Sequence, residues 1–169
     1  IKTQSYFKDF DFNGIWALNA AENGGYPYLK QTTMLPVSYV APTAGTVLMD
    51  SKTGGKYLVS TRSKAVSYAG VLDEEITSVS IPSQVEINGI TYKVTAIAQG
   101  ALRGNTKITY VSVPYSVTEV GKYAFKGCTS LTKVSTLKYV KNIYQEAFEG
   151  CTSLTTIGAT NYRITLPSV

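Results

Sequence analysis

Histidine is absent from all 169 residues, and with it go the usual proton carrier near neutral pH and the commonest metal ligand. No histidine-dependent triad or histidine-built zinc site can exist in this chain. Cysteine occurs twice, too few to indicate a redox compartment. No apolar run approaches the roughly 18 to 20 residues that cross a bilayer. The opening IKTQSYFKDFDF lacks a basic start followed by an apolar core, so it is not a secretory signal. A soluble chain with no transmembrane segment is expected, and a start at Ile1 without methionine is expected of a mature or excised product. Charged residues make up 16% and apolar residues 44%, the composition of an ordered globular protein. The net charge of +5 is unevenly placed. Residues 1–93 carry eight Lys/Arg and eight Asp/Glu, whereas residues 94–169 carry eight against Glu119, Glu146 and Glu149. That asymmetry either favours an acidic partner or serves solubility.

What the chain does have is a period. Residues 94–116, 117–139 and 140–162 align at a spacing of 23, and the last two are identical at ten of 23 positions. A unit of that length cannot bury its own apolar face, so successive units must stack into a solenoid. Leu102/Phe125/Phe148, Gly104/Gly127/Gly150 and Ile108/Leu131/Leu154 are the matching sets, and they should stack one rung apart. Leu131, Val134 and Leu137 read as one inward-facing strand, Val117 and Val120 as another. Ala124-Phe125 reads as a compact helical turn that Gly127 reverses with positive φ.

Ahead of the repeats, Asn88-Gly89 between β-branched residues marks a hairpin, because a type I′ turn needs positive φ at both centres. Residues 56–93 are read as a β cap over the end of the repeat core. Residues 31–55, with Pro36, Pro42, Gly45, Gly54 and Gly55, are read as a linker. Residues 1–30 form a small aromatic-rich unit around Trp16 and Tyr26-Pro27-Tyr28-Leu29, with Phe10 and Phe12 alternating against Asp9, Asp11 and Asn13. Leu166-Pro167-Ser168-Val169 resembles Val113-Pro114-Tyr115-Ser116-Val117, so residues 163–169 read as a partial repeat and the chain as stopping within the array.

The string AFxGCxSLTxI occurs from Ala124 to Val134, with valine in its last place, and again from Ala147 to Ile157. It resembles the leucine-rich repeats of the BspA-like family of bacterial surface proteins. Ile81-Pro82, Asn88-Gly89 and Tyr92-Lys93-Val94-Thr95-Ala96-Ile97 resemble the way those arrays begin, and the likeness covers residues 56–169. It departs at repeat one, where Leu102 and Asn105 replace phenylalanine and cysteine. Phe10-Asp11-Phe12 through Leu29 resembles the closing segment of short β-solenoid repeats in surface proteins of gut Bacteroidetes, which would make residues 1–30 the tail of a preceding repeat. The family implies a mainly β solenoid that is exported and displayed at the bacterial surface or secreted. It also implies binding to host matrix proteins, host cells or other bacteria, with no catalysis.

Asp9-Phe-Asp11-Phe-Asn13-Gly14 satisfies the first half of a calcium-loop pattern. Its twelfth position is Ala20 rather than a bidentate glutamate, so a solvated strand face is the better reading, and no metal or other cofactor is expected. The same aspartates have no acidic cluster around them that would make a glycosidase pair. Cys128 and Cys151 fall one rung apart, near enough for a disulfide, but their parallel inward direction favours paired core thiols. Tyr110, Tyr115, Tyr139 and Tyr162 lie on or just beyond the repeat strands, interleaved with Lys107, Lys133, Lys138 and Arg163. Rings with cationic neighbours stack on sugars and contact acidic groups; an ordinary tyrosine-rich β surface is the plainer reading. Tyr110, Tyr115, Lys133, Lys138, Tyr139 and Tyr162 are the expected ligand-binding residues, and a matrix protein, a cell-surface protein or an acidic glycan the expected partner. Nucleic acid is not expected, since no recognised motif is present. A structural spacer, or an accessory glycan-binding module of a larger surface enzyme, are the alternatives.

Overall fold

The computed structural model describes residues 16–18, 27–29, 42–61, 64–135 and 137–158, in two units divided between Ala41 and Pro42. In the first unit, β1 (Trp16–Leu18) pairs antiparallel with β2 (Pro27–Leu29), Trp16 opposite Leu29. The Asp9 to Gly14 pattern, Phe10, Phe12, Ala20, Tyr162, Arg163 and the 163–169 partial repeat lie outside the described residues.

The second unit opens with β3 (Val47–Asp50) and β4 (Gly55–Val59), paired antiparallel. Residues 47–55 therefore make a hairpin, where composition had placed the end of a linker. The glycine and hydroxyl residues there build a closed turn. The Asp50 carboxylate accepts hydrogen bonds from the Lys52 and Thr53 amides and the Thr53 hydroxyl, and Gly54 takes a φ of +67°.

β5 (Ala65–Val71) pairs antiparallel with β4, and then parallel with β8 (Ile90–Ile97). Between them lie β6 (Ser78–Ser80) and β7 (Gln84–Ile87), and β7 turns back onto β8. Asn88 and Gly89 take φ of +52° and +74° in that turn, the geometry an Asn-Gly hairpin requires. The repeats follow as β9 (Tyr110–Ser112), β10 (Glu119–Val120), β11 (Lys133–Val134), β12 (Asn142–Ile143) and β13 (Thr156–Ile157). Two sheets result. One has seven strands in the order β12-β10-β8-β5-β4-β3, with β7 also on β8; the other has four, in the order β13-β11-β9-β6.

The stacking is parallel within the repeats, with partners such as Thr95 and Thr118, or Thr109 and Thr132, 23 positions apart. The 56–93 segment does not form one cap. β5 pairs with β8 and β6 with β9, both parallel, so residues 65–80 make a rung below the first repeat. That rung escapes the period because Thr77 and Thr109 are 32 positions apart, the excess being taken up by the β7–β8 hairpin.

On a third side the chain turns at residues 100–105, 121–128 and 144–151. No helix forms there, and the reason is in the hydrogen bonds. The amides of Ala124, Lys126 and Cys128 donate three residues back, while those of Tyr123, Phe125 and Gly127 donate to Gln145, Ala147 and Glu149 of the next rung. Alternate amides are thus committed across rungs, and a continuous helical ladder is excluded.

Inside, Phe125 and Phe148 stack with ring centroids 4.9 Å apart and planes 7° from parallel, over a buried Leu102. Ile108, Leu131 and Leu154 make a second buried column, and Val111 and Val134 a third. Strand β11 is only two residues long, yet Leu131, Val134 and Leu137 are all buried.

Candidate functional site

The four-stranded sheet turns the row Ser78, Tyr110, Lys133 and Thr156 outward, in lateral register across β6, β9, β11 and β13. Val79, Val111, Val134 and Ile157 form the neighbouring row facing the core. Lys133 Nζ lies 5.9 Å from the centre of the Tyr110 ring, so residues 23 apart in sequence make one cation–π pair. Beside this row runs a column of threonines. The hydroxyls of Thr109, Thr132 and Thr155 each donate to the carbonyl of the threonine one rung below, at 3.0, 2.9 and 3.3 Å. This spends the hydroxyls on the fold and leaves a regular surface whose distinctive groups are Tyr110 and Lys133.

Tyr115, Lys138 and Tyr139 sit at the corner that follows this sheet. Lys138 Nζ is 5.7 Å from the Tyr139 ring centre, and Tyr115 and Tyr139 are 70% and 52% exposed, high for rings of this size. The structure thus pairs Tyr110 with Lys133 and Lys138 with Tyr139 on neighbouring stretches of surface. Tyr162 lies outside the described residues.

Sequence reasoning missed a second cluster, on the turn side. Arg103, Lys122 and Lys126 surround the Tyr123 ring at 5.5, 4.5 and 5.0 Å from its centre. Lys126 also bonds Glu146 at 2.9 Å and Glu149 at 2.8 Å. Glu149 and then Glu146 hold the Lys126 ammonium above the usual lysine value, and Lys126 in turn lowers Glu146. The signal was in the alignment: Arg103, Lys126 and Glu149 share one repeat position.

Cys128 and Cys151 are free and buried, and each is a working donor. The Cys128 thiol reaches the Leu102 carbonyl at 2.9 Å and the Cys151 thiol that of Phe125 at 3.0 Å. The Cys151 thiol nearby and burial push Cys128 well above the ordinary thiol value, which suits core packing rather than nucleophilic work. Asn105 takes this position in repeat one, where the rung below supplies no equivalent turn. Its side-chain oxygen accepts from the Lys107 and Ile108 amides, and its Nδ2 donates to Glu74 of the acidic turn. The departure at Asn105 therefore replaces a missing carbonyl partner. Among the described residues no group of three or more His, Cys, Asp or Glu side chains is placed to hold a metal ion. Nor is any helix among them long and apolar enough to cross a membrane.

Solved structures with this architecture come from several bacteria. A leucine-rich cell surface protein of Faecalibacterium prausnitzii is 25% identical, with a TM-score of 0.58 over 67% of this chain and 30% of its own. A leucine-rich repeat protein of Bacteroides ovatus is 27% identical, with a TM-score of 0.59 over 65% of this chain and 28% of its own. A leucine-rich repeat protein of T. pallidum is 27% identical, with a TM-score of 0.57 over 67% of this chain and 50% of its own. The chain spans half or less of the length of these three structures. No curated protein matches it. The profile of the BspA type leucine-rich repeat region matches residues 73–166 in six copies, beginning ahead of residue 94 as the extra rung does, and the chain belongs to the BspA type leucine-rich repeat family.

Proposed function

We propose that this chain is a non-catalytic binding module of a surface-displayed or secreted bacterial protein. Its ligand is a matrix protein, a cell-surface protein or an acidic glycan, met by Tyr110, Lys133 and the Tyr115, Lys138, Tyr139 corner. The observation that carries this reading is the placement of the half-buried Tyr110 and the exposed Tyr139 beside lysines on the outer repeat surface. Rings and cations at such spacing offer both an apolar face and a charge to a partner. The family adds support, since repeat scaffolds present extended surfaces over which affinity is spread. The cell-surface description of the Faecalibacterium relative supports the location.

The test is the double substitution Lys133→Glu with Lys138→Glu, screened with the parent chain against immobilised matrix proteins and glycans. Weaker binding is expected, with thermal stability changed by no more than about 0.5 kcal/mol, because both side chains are exposed. Binding by the parent should also fall as salt shortens the Debye length from about 10 Å at 0.1 M to about 3 Å at 1 M. A partner held equally well by the double variant would remove the sheet face from consideration, and no binding on any surface would favour a spacer.

A further inference from the structure

The Tyr123 cluster has features that stability does not call for. Three cations gathered on one ring repel one another, and the electron-rich ring offsets only part of that cost. Lys126 is answered by Glu146 and Glu149. Arg103 and Lys122 make no ion pair with a carboxylate among the described residues, and, although Lys122 hydrogen-bonds Tyr123 and feels Glu146, both cations remain open to an incoming anion. Tyr123 is held at φ +60°, a region that L residues with bulky side chains rarely adopt. The same position is Gly100 at φ +65° one rung below and Glu146 at φ +59° one rung above, so the turn imposes this conformation on each rung and only the middle one places an aromatic ring there. The Tyr123 ring is what brings Arg103 and Lys122 together.

We propose that Arg103, Lys122 and Tyr123 form a binding site for the anionic groups of an acidic polysaccharide, on the turn side and separate from the sheet face. Arg103 presents a planar fork suited to the paired oxygens of sulfate or carboxylate, and Lys122 a compact charge beside it. Lys126 and Glu149 hold the place of Arg103 on the next two rungs and pair with each other, so the uncompensated positive charge is that of Arg103 and Lys122 beside one ring. A polymer with anions repeated along its chain meets Arg103 and Lys122 with neighbouring groups, which a single small ion cannot do. Single-stranded nucleic acid is a poorer match, because it needs open aromatic faces for its bases, and cations already cover this ring.

The test uses the full chain with three probes: heparin, which carries sulfate and carboxylate, hyaluronan, which carries carboxylate alone, and neutral dextran. Heparin is expected to bind at about 0.1 M salt and to be released toward 1 M. Arg103→Ala with Lys122→Ala is expected to cost about tenfold in affinity with the thermal midpoint unchanged. Tyr123→Gly, which suits the backbone and removes the ring, should weaken binding in the same direction. Lys52→Ala with Lys93→Ala, which removes two exposed charges outside both proposed sites, should leave it within about twofold. Hyaluronan bound with the same dependence on Arg103 and Lys122 would support carboxylate recognition, and heparin bound without hyaluronan would support sulfate. Heparin ignored by the parent chain, held equally by the Arg103/Lys122 variant, or matched by dextran would overturn the site. Loss confined to the Lys133/Lys138 variant would overturn it too, while leaving the sheet-face reading standing.

Discussion

Phe125→Ala should lower the stability of the repeat unit by about 3 to 5 kcal/mol, the range for truncating a fully buried aromatic. Phe125 has no exposed surface, and its ring is one half of the stack with Phe148, so its loss removes burial on one rung and a partner on the next. Stacked pairs are worth about 0.5 to 1.5 kcal/mol beyond their area, which places the expected value in the upper part of the range. Each rung contacts chiefly its neighbours, and damage to the middle one interrupts the array. Urea unfolding followed by circular dichroism measures this directly. A midpoint equal to that of the parent would mean that the phenylalanines do not form the column described.

Gly121→Ala should be nearly as damaging, by about 3 kcal/mol, at the high end of overpacking, although it adds a single methyl group. An added Cβ would lie 2.6 Å from the Gln99 amide nitrogen, 2.7 Å from the Ala98 carbonyl carbon and 2.9 Å from the Ile97 carbonyl oxygen. All three are backbone atoms of the rung below, and none can swing aside as a side-chain end would. The Gly121 amide also donates to that Ile97 oxygen at 2.9 Å, so relief of the clash breaks a rung-to-rung bond. Thermal unfolding of Gly121→Ala beside Gly89→Ala isolates the effect. Gly89 has open space around it, so its variant reports the cost of positive φ alone. A smaller loss at Gly121 than at Gly89 would contradict the close approach.

The repeated part of the fold was legible because its cause is periodic. Phe125 and Phe148, Leu131 and Leu154, and the two cysteines recur at one spacing, and equal spacing in a solenoid means vertical neighbours. The Asn88-Gly89 turn was legible for a local reason, since few residues accept positive φ twice in succession. The rung of β5 and β6 was hidden because its partners are not one period away and it lacks the turn motif. The hairpin at residues 47–55 was hidden by its own turn: Ser51, Thr53 and Gly54 look like linker composition until Asp50 is seen to accept from the Lys52 and Thr53 amides. At the surface, the pairing of Tyr110 with Lys133 was legible because both belong to strands one period apart. Arg103, Lys122 and Tyr123 were missed because their grouping depends on a left-handed backbone position that composition does not reveal. The substitution of Asn105 for cysteine makes sense only once Glu74 and the missing carbonyl of the rung below are in view.

The role assigned to the outer sheet can be read residue by residue from tyrosine resonances. Chain labelled with fluorotyrosine, its signals assigned through single Tyr→Phe changes, would be titrated with the partner retained on the matrix-protein and glycan surfaces. Recognition through the sheet face requires the signals of Tyr110 and Tyr139 to shift with saturation, and those of the buried Tyr57 and Tyr68 to stay in place. Saturable binding that leaves both Tyr110 and Tyr139 unmoved would contradict it.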